Sequence, residues 1–310
     1  MKNEGQSITR IIGLLRDKLT QLAPEPGKIP TAIEGVYIYR MDNDVRMDCF
    51  NDPCIGVLVQ GDKRAIVADE EYRFKEGWYI AYGMDLPAIS HITGASPKKP
   101  HLAMSIPLDR YIMSQLVTGV EKRPPPGNGA SYKGLTAAKA GSELLDACLR
   151  LISLLDTPER IPVLAPMIIR EIHYFLLIGP EGEDFRLLGT HETPNNQIAQ
   201  AISWMRENYC SPFNLTELSR LVNMSQASLS RHFSRITGMS PLRFQKRLRL
   251  YEAQRLMLTE DKSAETAAFA VGYESSTQFN REYKRQFGEP PHRDIERLLV
   301  TGAVLGEEMV

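Results

Sequence analysis

Two segments near the C-terminal end of the chain repeat one pattern of side chains, and this repeat restricts the possible folds more than any other feature. The first segment runs from Asn223 to Pro241 and the second from Gly272 to Pro291. Self-similarity at a fixed period indicates that one supersecondary unit occurs twice. The positions that coincide at an offset of 50 are small, apolar, basic or turn-forming: Ser225, Leu229, Arg231, Phe233, Gly238 and Pro241 match Ser275, Phe279, Arg281, Tyr283, Gly288 and Pro291.

Each copy has the pattern of two short helices that are joined by a tight turn. Asn223 and Gly272 stand at the turn, where a left-handed backbone is needed, and Asn and Gly adopt that backbone at the lowest cost. Ser225 and Ser275 follow as the expected N-caps of the second helix. We therefore predict two helix-turn-helix units.

The second helix of each copy leaves one face open, with small, amide and basic side chains. Small and amide side chains let a helix approach the DNA major groove and hydrogen-bond base edges, and Arg binds guanine with two hydrogen bonds. Flanking Arg235 and Lys284 are expected to hold phosphates. The face presents Ala227, Ser230, Arg231 and Arg235 in the first copy and Ser276, Thr277, Asn280, Arg281 and Lys284 in the second. This chemistry predicts binding to double-stranded DNA.

One helix is predicted between the two copies, from Pro241 to Leu258, and it is buried through Phe244, Leu248 and Leu256. A rigid connector of this kind would hold two recognition helices about one DNA turn apart, roughly 34 Å. Residues 198–297 carry 15 Lys and Arg against 11 Asp and Glu, a balance of +4, whereas the whole chain has a net charge of −1. A local balance of this size supports a polyanionic partner only weakly.

The two copies and their connector resemble a known family. The run LTELSRLVNMSQASLSRHFSRITGMSPLRFQKRLRLYEAQRLM, followed by VGYESSTQFNREYKRQFGEPP, resembles the DNA-binding domain of the AraC/XylS family of bacterial transcription regulators. The chain departs from the family in the helix after Lys262, where SAETAAFAVGY lacks the usual early apolar residue. The resemblance implies that the base-reading residues are Ala227, Ser230, Arg231, Ser276, Thr277, Asn280 and Arg281. Because Ala227 is small, we expect the first copy to depend on Arg231.

Short strands are predicted from Ala32 to Leu108. Strands spaced this closely usually close into a small antiparallel barrel or sandwich. An amphipathic helix from Ile8 to Leu22 precedes them and ends at the Pro-rich APEPGKIP. The six runs are four to seven residues long and rich in Val, Ile and Tyr: GVYIYRM, CIGVLVQ, RAIVA, EYRF, WYIAYG and HLAMSIP.

Helical spacing returns after the strands. Leu144, Cys148, Leu151 and Leu155 form a stripe at i, i+4, i+7 and i+11, and a second helix is predicted from Pro166 to Leu177. The stripe fits either a dimer seam or a face inside the domain, and of the two we favour the dimer seam. The polar residues that follow predict a linker.

The segment from Pro53 to Asp109 is similar to the N-terminal domain of one AraC subgroup. The shared features are Gln60-Gly61 followed by Lys63, the hairpin from Tyr72 to Tyr79, Asp85-Leu86-Pro87 and Ala95-Ser96-Pro97. The resemblance implies a cupin-like β-barrel with flanking dimerisation helices, so the expected fold is α+β with two domains, the second an all-α double helix-turn-helix domain. The expected divisions are an effector-binding and dimerisation domain (1–180), a linker (181–196), a DNA-binding domain (197–298) and a tail (299–310).

The barrel is interpreted as a pocket for a small effector and not as an enzyme. Cupin enzymes hold a metal through H-x-H, Glu and a distant His, whereas residues 32–110 contain only His91 and His101, ten apart. Either His is expected to be an ordinary strand or loop residue, and we expect no cofactor and no metal. The polar and aromatic candidates for the pocket are Lys63, Arg64, Tyr72, Tyr79 and Tyr82.

Two cysteines flank the start of the second strand, Cys49 and Cys54. Some members of the resembling subgroup are thought to respond to electrophiles through cysteine, so both are candidates for redox or electrophile sensing. The alternative is an inert buried thiol, because reactivity depends on exposure and pKa.

The remaining composition favours the bacterial cytoplasm, on the nucleoid. No apolar run approaches the ~18 residues that span a bilayer. The N-terminus has acidic residues and no cleavage site, and the four cysteines lack CxxC or metal spacing. We predict a homodimeric transcription regulator. The family resemblance implies that it is an activator, with RNA polymerase as a partner. The alternatives are a metal-dependent cupin enzyme with a DNA-binding appendage and a DNA-binding protein that needs no effector.

Overall fold

The computed structural model describes residues 2–67, 70–120, 134–190 and 193–301. Those of the N-terminal part form helices and strands in the order α1 (Lys2–Leu22), β1 (Gly27–Pro30), β2 (Tyr37–Met41), β3 (Val45–Asn51), β4 (Cys54–Gln60), β5 (Asp62–Val67), β6 (Glu70–Lys75), β7 (Trp78–Tyr82), β8 (Leu86–Thr93), β9 (His101–Pro107), α2 (Arg110–Val117), β10 (Leu135–Lys139), α3 (Ser142–Ser153), α4 (Ile161–Ile178) and α5 (Gly182–Gly189). The C-terminal part forms α6 (Pro194–Glu207), α7 (Leu215–Leu221), α8 (Gln226–Thr237), α9 (Pro241–Thr259), α10 (Ala264–Ala270), α11 (Ser276–Phe287) and α12 (Pro291–Thr301).

Two antiparallel sheets face each other in the N-terminal part. One has the strand order β1-β2-β9-β4-β7-β10 and the other β3-β8-β5-β6. Because side chains alternate along each strand, one face of each sheet supplies the shared core. Val57 and Met104 of the first sheet and Ala65 and Phe74 of the second are buried there. The predicted α+β architecture, a closed β-structure followed by helices, is confirmed.

Four strands carry no clear strand pattern in the sequence. β1 lies inside the Pro-rich stretch, where Pro30 is tolerated because the strand is at the edge of its sheet. β3 mixes charged and apolar residues, β8 contains Pro87, and β10 consists mainly of small residues. Pairing with neighbouring strands, which a local pattern does not reveal, determines these four segments.

The stripe on α3 is buried within the N-terminal domain. Leu144, Cys148 and Leu151 are at most 4% exposed and Leu155 is partly buried. α3 packs against α1 and α4, so these neighbours cover the stripe. The favoured interpretation as a dimer seam is wrong, and the stripe is a face inside the domain.

The predicted linker at 181–196 contains a helix. α5 packs against α2 and α4 and buries Phe185 and Leu188. Its polar residues Glu183 and Asp184 lie in the first turn, where acidic side chains interact favourably with the helix N-terminus. A polar composition at the start of a helix therefore resembled that of a linker.

Residues Pro158–Ile178 are long and apolar enough to cross a membrane by length and composition alone, with a mean hydropathy of 1.6. This differs from the expectation that no run approaches that length. Ile168, Ile172 and Leu176 are buried against the rest of the domain, whereas Val163 and Met167 on the same helix are exposed. Length and apolar composition alone do not establish a membrane span.

The C-terminal helices contain both predicted helix-turn-helix units, α7–α8 and α10–α11, with α9 between them. The turn residues Asn223 and Gly272 have φ values of 53° and 85°, so both are left-handed. The side chains of Ser225 and Ser275 each accept a hydrogen bond from the backbone N–H three residues later, which confirms both N-caps. α12 continues into the predicted tail as far as Thr301.

Candidate DNA-reading faces and effector pocket

The open face of α8 lies at the protein surface. Ala227, Arg231 and Arg235 are exposed and Ser230 is half-buried. Gly238 ends the helix with φ of 71°, so the backbone turns away directly after the last basic residue. Burial, and to a lesser degree the nearby Arg235 and Arg231, lowers the pKa of His232.

The open face of α11 has the same exposure and richer chemistry. Thr277, Asn280, Arg281 and Lys284 are exposed and Ser276 is half-buried. The opposite side of the helix is fixed by buried Phe279 and Tyr283. All nine residues predicted to contact DNA therefore lie on two accessible helix faces, and three pairs of them, Ala227/Thr277, Ser230/Asn280 and Arg231/Arg281, occupy matched positions of the two units.

A cavity of about 110 Å³ lies between the two sheets. Its walls are mainly apolar, and Lys63 is the one formally charged residue among the described residues that line it. Apolar lining with few polar groups is typical of small-molecule sites. The lining consists of Tyr39, Met41, Met47, Asn51, Cys54, Gly56, Val57, Leu58, Lys63, Phe74, Trp78, Tyr79, Ile80, Tyr82, Ser90, Ile92, His101, Ala103, Met104 and Ser105.

Three lining side chains carry buried polar atoms without a hydrogen-bond partner among the described residues. They are the hydroxyls of Tyr79 and Ser90 and the Nδ1 atom of His101. Burial, and to a lesser degree the nearby Lys63, lowers the pKa of His101 to about 3, so its imidazole is neutral at physiological pH. Leaving a buried polar atom unpaired costs free energy. A bound molecule that hydrogen-bonds these atoms would recover that free energy.

Three of the five predicted pocket residues line the cavity: Lys63, Tyr79 and Tyr82. The other two lie outside the lining. Arg64 points to the opposite face of β5 and forms an ion pair with Glu71 at 3.4 Å. The hydroxyl of Tyr72 donates to Glu70 at 3.0 Å, and burial together with that bond raises the pKa of Tyr72 to about 12.

His101 and Ser90 are pocket residues that sequence reasoning missed, because the sequence predicts only an ordinary strand or loop position for His101. Ser90 pairs with Ala65 in the β5–β8 register, which brings it to the same face as Lys63 two residues away along β5. Period-two alternation from Lys63 could have identified the inner face of β5. The strand that pairs with it could not be known.

The cysteines differ in their surroundings. Cys54 lines the cavity and is partly exposed, whereas the side chain of Cys49 lies outside the described residues. Burial raises the pKa of Cys148 to about 12, so this thiol is inert. Among the described residues, no group of three or more His, Cys, Asp or Glu side chains is arranged to hold a metal.

The N-terminal domain contacts α6, the helix that precedes the first helix-turn-helix unit, through charged groups. Arg206 of α6 forms ion pairs with Asp52, at 2.5 Å, and with Asp85. Burial is the largest influence on Asp85 and raises its pKa to about 6, against the opposing effect of Arg206.

An aromatic contact joins the N-terminal domain to α9. The ring of Phe50, at the end of β3, packs edge-on against Phe244 and Tyr251 of α9, with centroid distances of 5.4 and 4.9 Å. Met47 and Asn51 of the same strand line the cavity. β3 therefore touches both the cavity and the connector helix.

Two repeated helix-turn-helix units behind a two-sheet domain with an internal cavity define a two-domain, DNA-binding transcription regulator. Residues 32–184 match the family model of the AraC-type transcriptional regulator N-terminus, and residues 218–297 match a helix-turn-helix domain model. The chain belongs to the AraC family of transcriptional regulators. The resemblance inferred from the sequence is confirmed.

Curated relatives match in part. ExsA of Pseudomonas aeruginosa is 26% identical over 156 residues, which are 50% of this chain and 56% of ExsA. The transcriptional activator RhaS of Pectobacterium carotovorum is 32% identical over 94 residues, 30% of this chain and 34% of RhaS. The match thus spans about half the length of ExsA and a third of RhaS. These relatives are transcription regulators.

The fold as a whole is similar to that of ToxT from Vibrio cholerae. The structure of ToxT with an unsaturated fatty acid bound covers 88% of this chain and 97% of its own, with a TM-score of 0.58 and 11% identity. An apo structure of a ToxT point variant gives a TM-score of 0.57 over 84% of this chain and 96% of its own, also at 11% identity. At this identity the likeness establishes the two-domain fold alone.

Proposed function

We propose that this chain regulates transcription by binding a bipartite site on double-stranded DNA with α8 and α11, under the control of a small molecule bound between its two sheets. The observation that carries the proposal is the pair of exposed recognition faces, which have equivalent caps, turns and basic residues. A surface arginine alone would mean little, but two faces built on the same plan fit two adjacent stretches of major groove.

The division of labour on these faces follows from side-chain chemistry. Arg231 and Arg281 have the reach and the two donors for guanine, and Asn280 can bond adenine in the same way. Arg235 and Lys284 lie one turn further along, where their charge fits phosphate. The smaller reading residues Ala227, Ser230, Ser276 and Thr277 permit close approach.

The experiment is selection from a random DNA library with the full chain at about 0.15 M salt, where exposed charges more than ~8 Å apart are screened. We expect two enriched sequence blocks. A Lys284→Ala variant should bind all DNA more weakly and reduce the salt slope by about 1, whereas Lys139→Ala, on an exposed strand position of the barrel, should change neither. Enrichment no better than with scrambled competitor would refute DNA reading.

The effector is proposed to have an apolar body and a polar or anionic head. The apolar walls suit the body, while the Lys63 ammonium and the unpaired atoms of Ser90 and His101 suit the head. The fold neighbour ToxT was solved with an unsaturated fatty acid, a molecule of this general kind. The cysteine-sensing alternative has less support, because the buried polar atoms of the cavity favour a ligand that binds reversibly.

A head-group series tests this chemistry by thermal shift. Decanoate, decanol and decylamine share one tail, and we expect decanoate to stabilise the chain most. Lys63→Met should abolish that preference, and the matched control Lys28→Met, a surface lysine over the Tyr37 ring, should keep it. Equal shifts with all three molecules would contradict an anionic head.

We further propose that β3 carries the signal from the cavity to the DNA-binding helices. A ligand that moves Met47 or Asn51 also moves Phe50 against α9, and it thereby shifts the population of domain arrangements. Phe50→Ala should leave DNA binding intact but remove its response to decanoate, and Phe269→Ala, an exposed aromatic residue of the second unit, should not. An unchanged response in Phe50→Ala would refute this route.

Activation as the direction of control, RNA polymerase as a partner, a homodimer and a cytoplasmic location are also proposed. The printed name of RhaS, an activator, supports the first of these. Two protomers would raise the effective concentration of reading helices at one promoter. Sedimentation of the full chain with and without promoter DNA tests the dimer.

A further inference from the structure

Arg249, in the middle of α9, binds both the loop before the first helix-turn-helix unit and the turn of the second unit. Its Nε donates to the carbonyl of Tyr209 at 2.7 Å, and its Nη2 donates to the carbonyls of Cys210 and Ser211 at 3.1 and 2.9 Å. Its Nη1 donates to the carbonyl of Gly272 at 2.7 Å. The first three carbonyls belong to the loop that leads into the first unit, and the fourth belongs to the turn of the second.

The same loop is held at two further points. Gln245, one helical turn before Arg249, donates to the carbonyls of Tyr209 and Ser211 at 3.0 and 2.9 Å. The thiol of Cys210 donates to the carbonyl of Ala270 at 3.3 Å. We call this set of contacts, from Arg249, Gln245 and the 209–211 loop to the 270–272 turn, the clasp.

The backbones of the two units touch at the clasp. A Cβ atom added to Gly272 would lie 2.4 Å from the carbonyl oxygen of Cys210 and 3.1 Å from Nη2 of Arg249. A Cβ atom that close to a backbone oxygen is a severe overlap. The turn of the second unit therefore rests directly on the loop of the first.

The buried apolar side chains of the two units form two clusters, which meet at the partly buried ring of Tyr209. Leu229, Phe233 and Phe244 belong to one buried cluster, whereas Phe279 and Tyr283 belong to another. α9 contributes to both clusters, but a helix that joins two separate cores can bend or twist between them. The clasp connects the two units on the side of α9 where they meet.

We propose that Arg249 is a specificity-determining residue that fixes the spacing between the two DNA half-sites. This inference rests on the proposed function, because it concerns how α8 and α11 read one duplex together. One inserted base pair moves a half-site by about 3.4 Å and rotates it by roughly a tenth of a turn. With the clasp closed, the second recognition helix cannot follow that displacement, so the protein accepts one spacing and rejects its neighbours.

The guanidinium is suited to this task in a way that other cations are not. Its planar group holds several donors in a fixed arrangement and therefore defines the directions of all four carbonyls at once. A lysine ammonium has three donors at a single point and rotates freely, so it would hold the loop and the turn with less angular restraint.

The experiment compares spacing preference in full-length variants by selection from a library of random DNA. Wild type should enrich two blocks at one separation. Arg249→Ala should enrich the same two blocks over a spread of separations, and Arg249→Lys and Gln245→Leu should give a smaller spread. The matched control is Arg255→Ala, which removes a cation of the same helix whose ion pairs are with Glu252 and Glu260 rather than with the clasp.

The deciding number is the affinity ratio between the selected site and the same site with one inserted base pair. For wild type and Arg255→Ala we expect a ratio of roughly tenfold or more, the size of a lost base contact. For Arg249→Ala we expect about twofold, since a freed second unit follows the displaced half-site. A general loss of affinity with an unchanged ratio would be a structural effect only, and it would overturn the inference.

The results distinguish a failure of the proposed function from a failure of the role proposed for Arg249. If wild type enriches no sequence, the proposed function fails, whereas enrichment with a wild-type ratio in Arg249→Ala refutes only the role of Arg249. If Arg249→Ala is unfolded by circular dichroism, the milder Arg249→Lys and Gln245→Leu decide. Wild-type ratios in both of these would overturn the inference.

Discussion

The two helix-turn-helix units share one local plan but are held in place differently. The buried side chains of the first unit, such as Leu229 and Phe233, are continuous with the core of the N-terminal domain. Those of the second unit, such as Phe279 and Tyr283, form a cluster of their own. The first unit is thus part of a large core, while the second depends on α9 and the clasp for its orientation. A repeated sequence specifies a repeated local fold, and the surroundings determine how firmly each copy is oriented.

The turn residues show the same contrast at a single position. Asn223 is exposed, so its side chain meets no obstacle and only the left-handed backbone matters. Gly272 has the same kind of backbone, but the space that a Cβ would need is occupied by the carbonyl oxygen of Cys210. Asn satisfies one requirement at the first turn, and only Gly satisfies both at the second.

The largest effect is expected from substitution at these turns. Gly272→Ala should lower the free energy of unfolding by about 3 kcal/mol or more, because backbone strain adds to the overlap with Cys210. Asn223→Ala should cost only about 1 kcal/mol, from the left-handed backbone alone. Urea denaturation followed by circular dichroism measures both. Equal losses would show that the two turns are under the same constraint.

Removing the reading arginines should separate the two faces. Arg231→Ala and Arg281→Ala should each cost about 1–3 kcal/mol of specific binding and relax the preference at one base position. The loss should be larger for Arg231, because its neighbours Ala227 and Ser230 offer less to a base edge than Asn280 does. Binding to single-base variants of the selected site measures this. Wild-type discrimination in both variants would mean that other residues read the bases.

The N-caps should respond alike, since they depend on local geometry alone. Ser225→Ala and Ser275→Ala each remove one side-chain acceptor at a helix start, at 3.2 and 3.4 Å from the backbone nitrogen. Each should cost about 1 kcal/mol of stability. Thermal unfolding of both variants compares them, with Ser234→Ala on an exposed helix position as the control. A clear difference between the caps would show that tertiary surroundings reach even this feature.

The smallest effect is expected on the pH dependence of stability. It concerns Glu282, which occupies the position in the second unit that His232 occupies in the first. Burial raises the pKa of Glu282, but hydrogen bonds from Lys246, Gln278 and Tyr273 outweigh burial and hold that pKa below the ordinary value of 4.5. A lowered carboxyl pKa contributes stability that is present above 4.5 and is lost as pH falls through the folded-state pKa. Glu282→Gln should therefore be less stable than wild type at pH 7, and the gap should close in acid.

His232 provides the contrast for that measurement. Its pKa is lowered by burial and then by the neighbouring arginines, so it is neutral at pH 7. His232→Gln should leave stability unchanged between about pH 6.5 and 8. A gap for Glu282→Gln that persists unchanged at low pH would contradict the role assigned to its charge.

The sequence predicted those features that depend on a few neighbouring residues. Ser225, Ser275, Asn223 and Gly272 act through backbone geometry within a turn, so spacing alone located them. The exposed faces followed from the positions of buried Leu229 and Phe279 on the same helices. For these elements, the residues within one turn or helix are sufficient to determine the structure.

Features that depend on distant pairing could not be predicted. β3 and β8 exist because they pair with each other over seven positions, and neither has a distinct pattern of its own. His101 faces the cavity on the same side of β9 as Ala103 and Ser105, and the sequence alone does not show which side of that strand faces inward. The stripe on α3 looked the same whether a second protomer or α1 and α4 covered it. Arg249 resembled any other arginine on a helix, because its partners are carbonyls far along the chain.

The alternation of strand β3 has a consequence for how regulators of this type diversify. Met47 and Asn51 face the cavity, and Phe50, beside Asn51, faces the connector helix. Substitutions on the cavity side of the strand can therefore change which small molecule fits, while the contact of Phe50 with α9, the proposed route of the signal, stays untouched. Ligand preference can then evolve separately from the response of the DNA-binding helices. Proteins with this one fold can therefore come to bind different effectors while their DNA-binding response is kept.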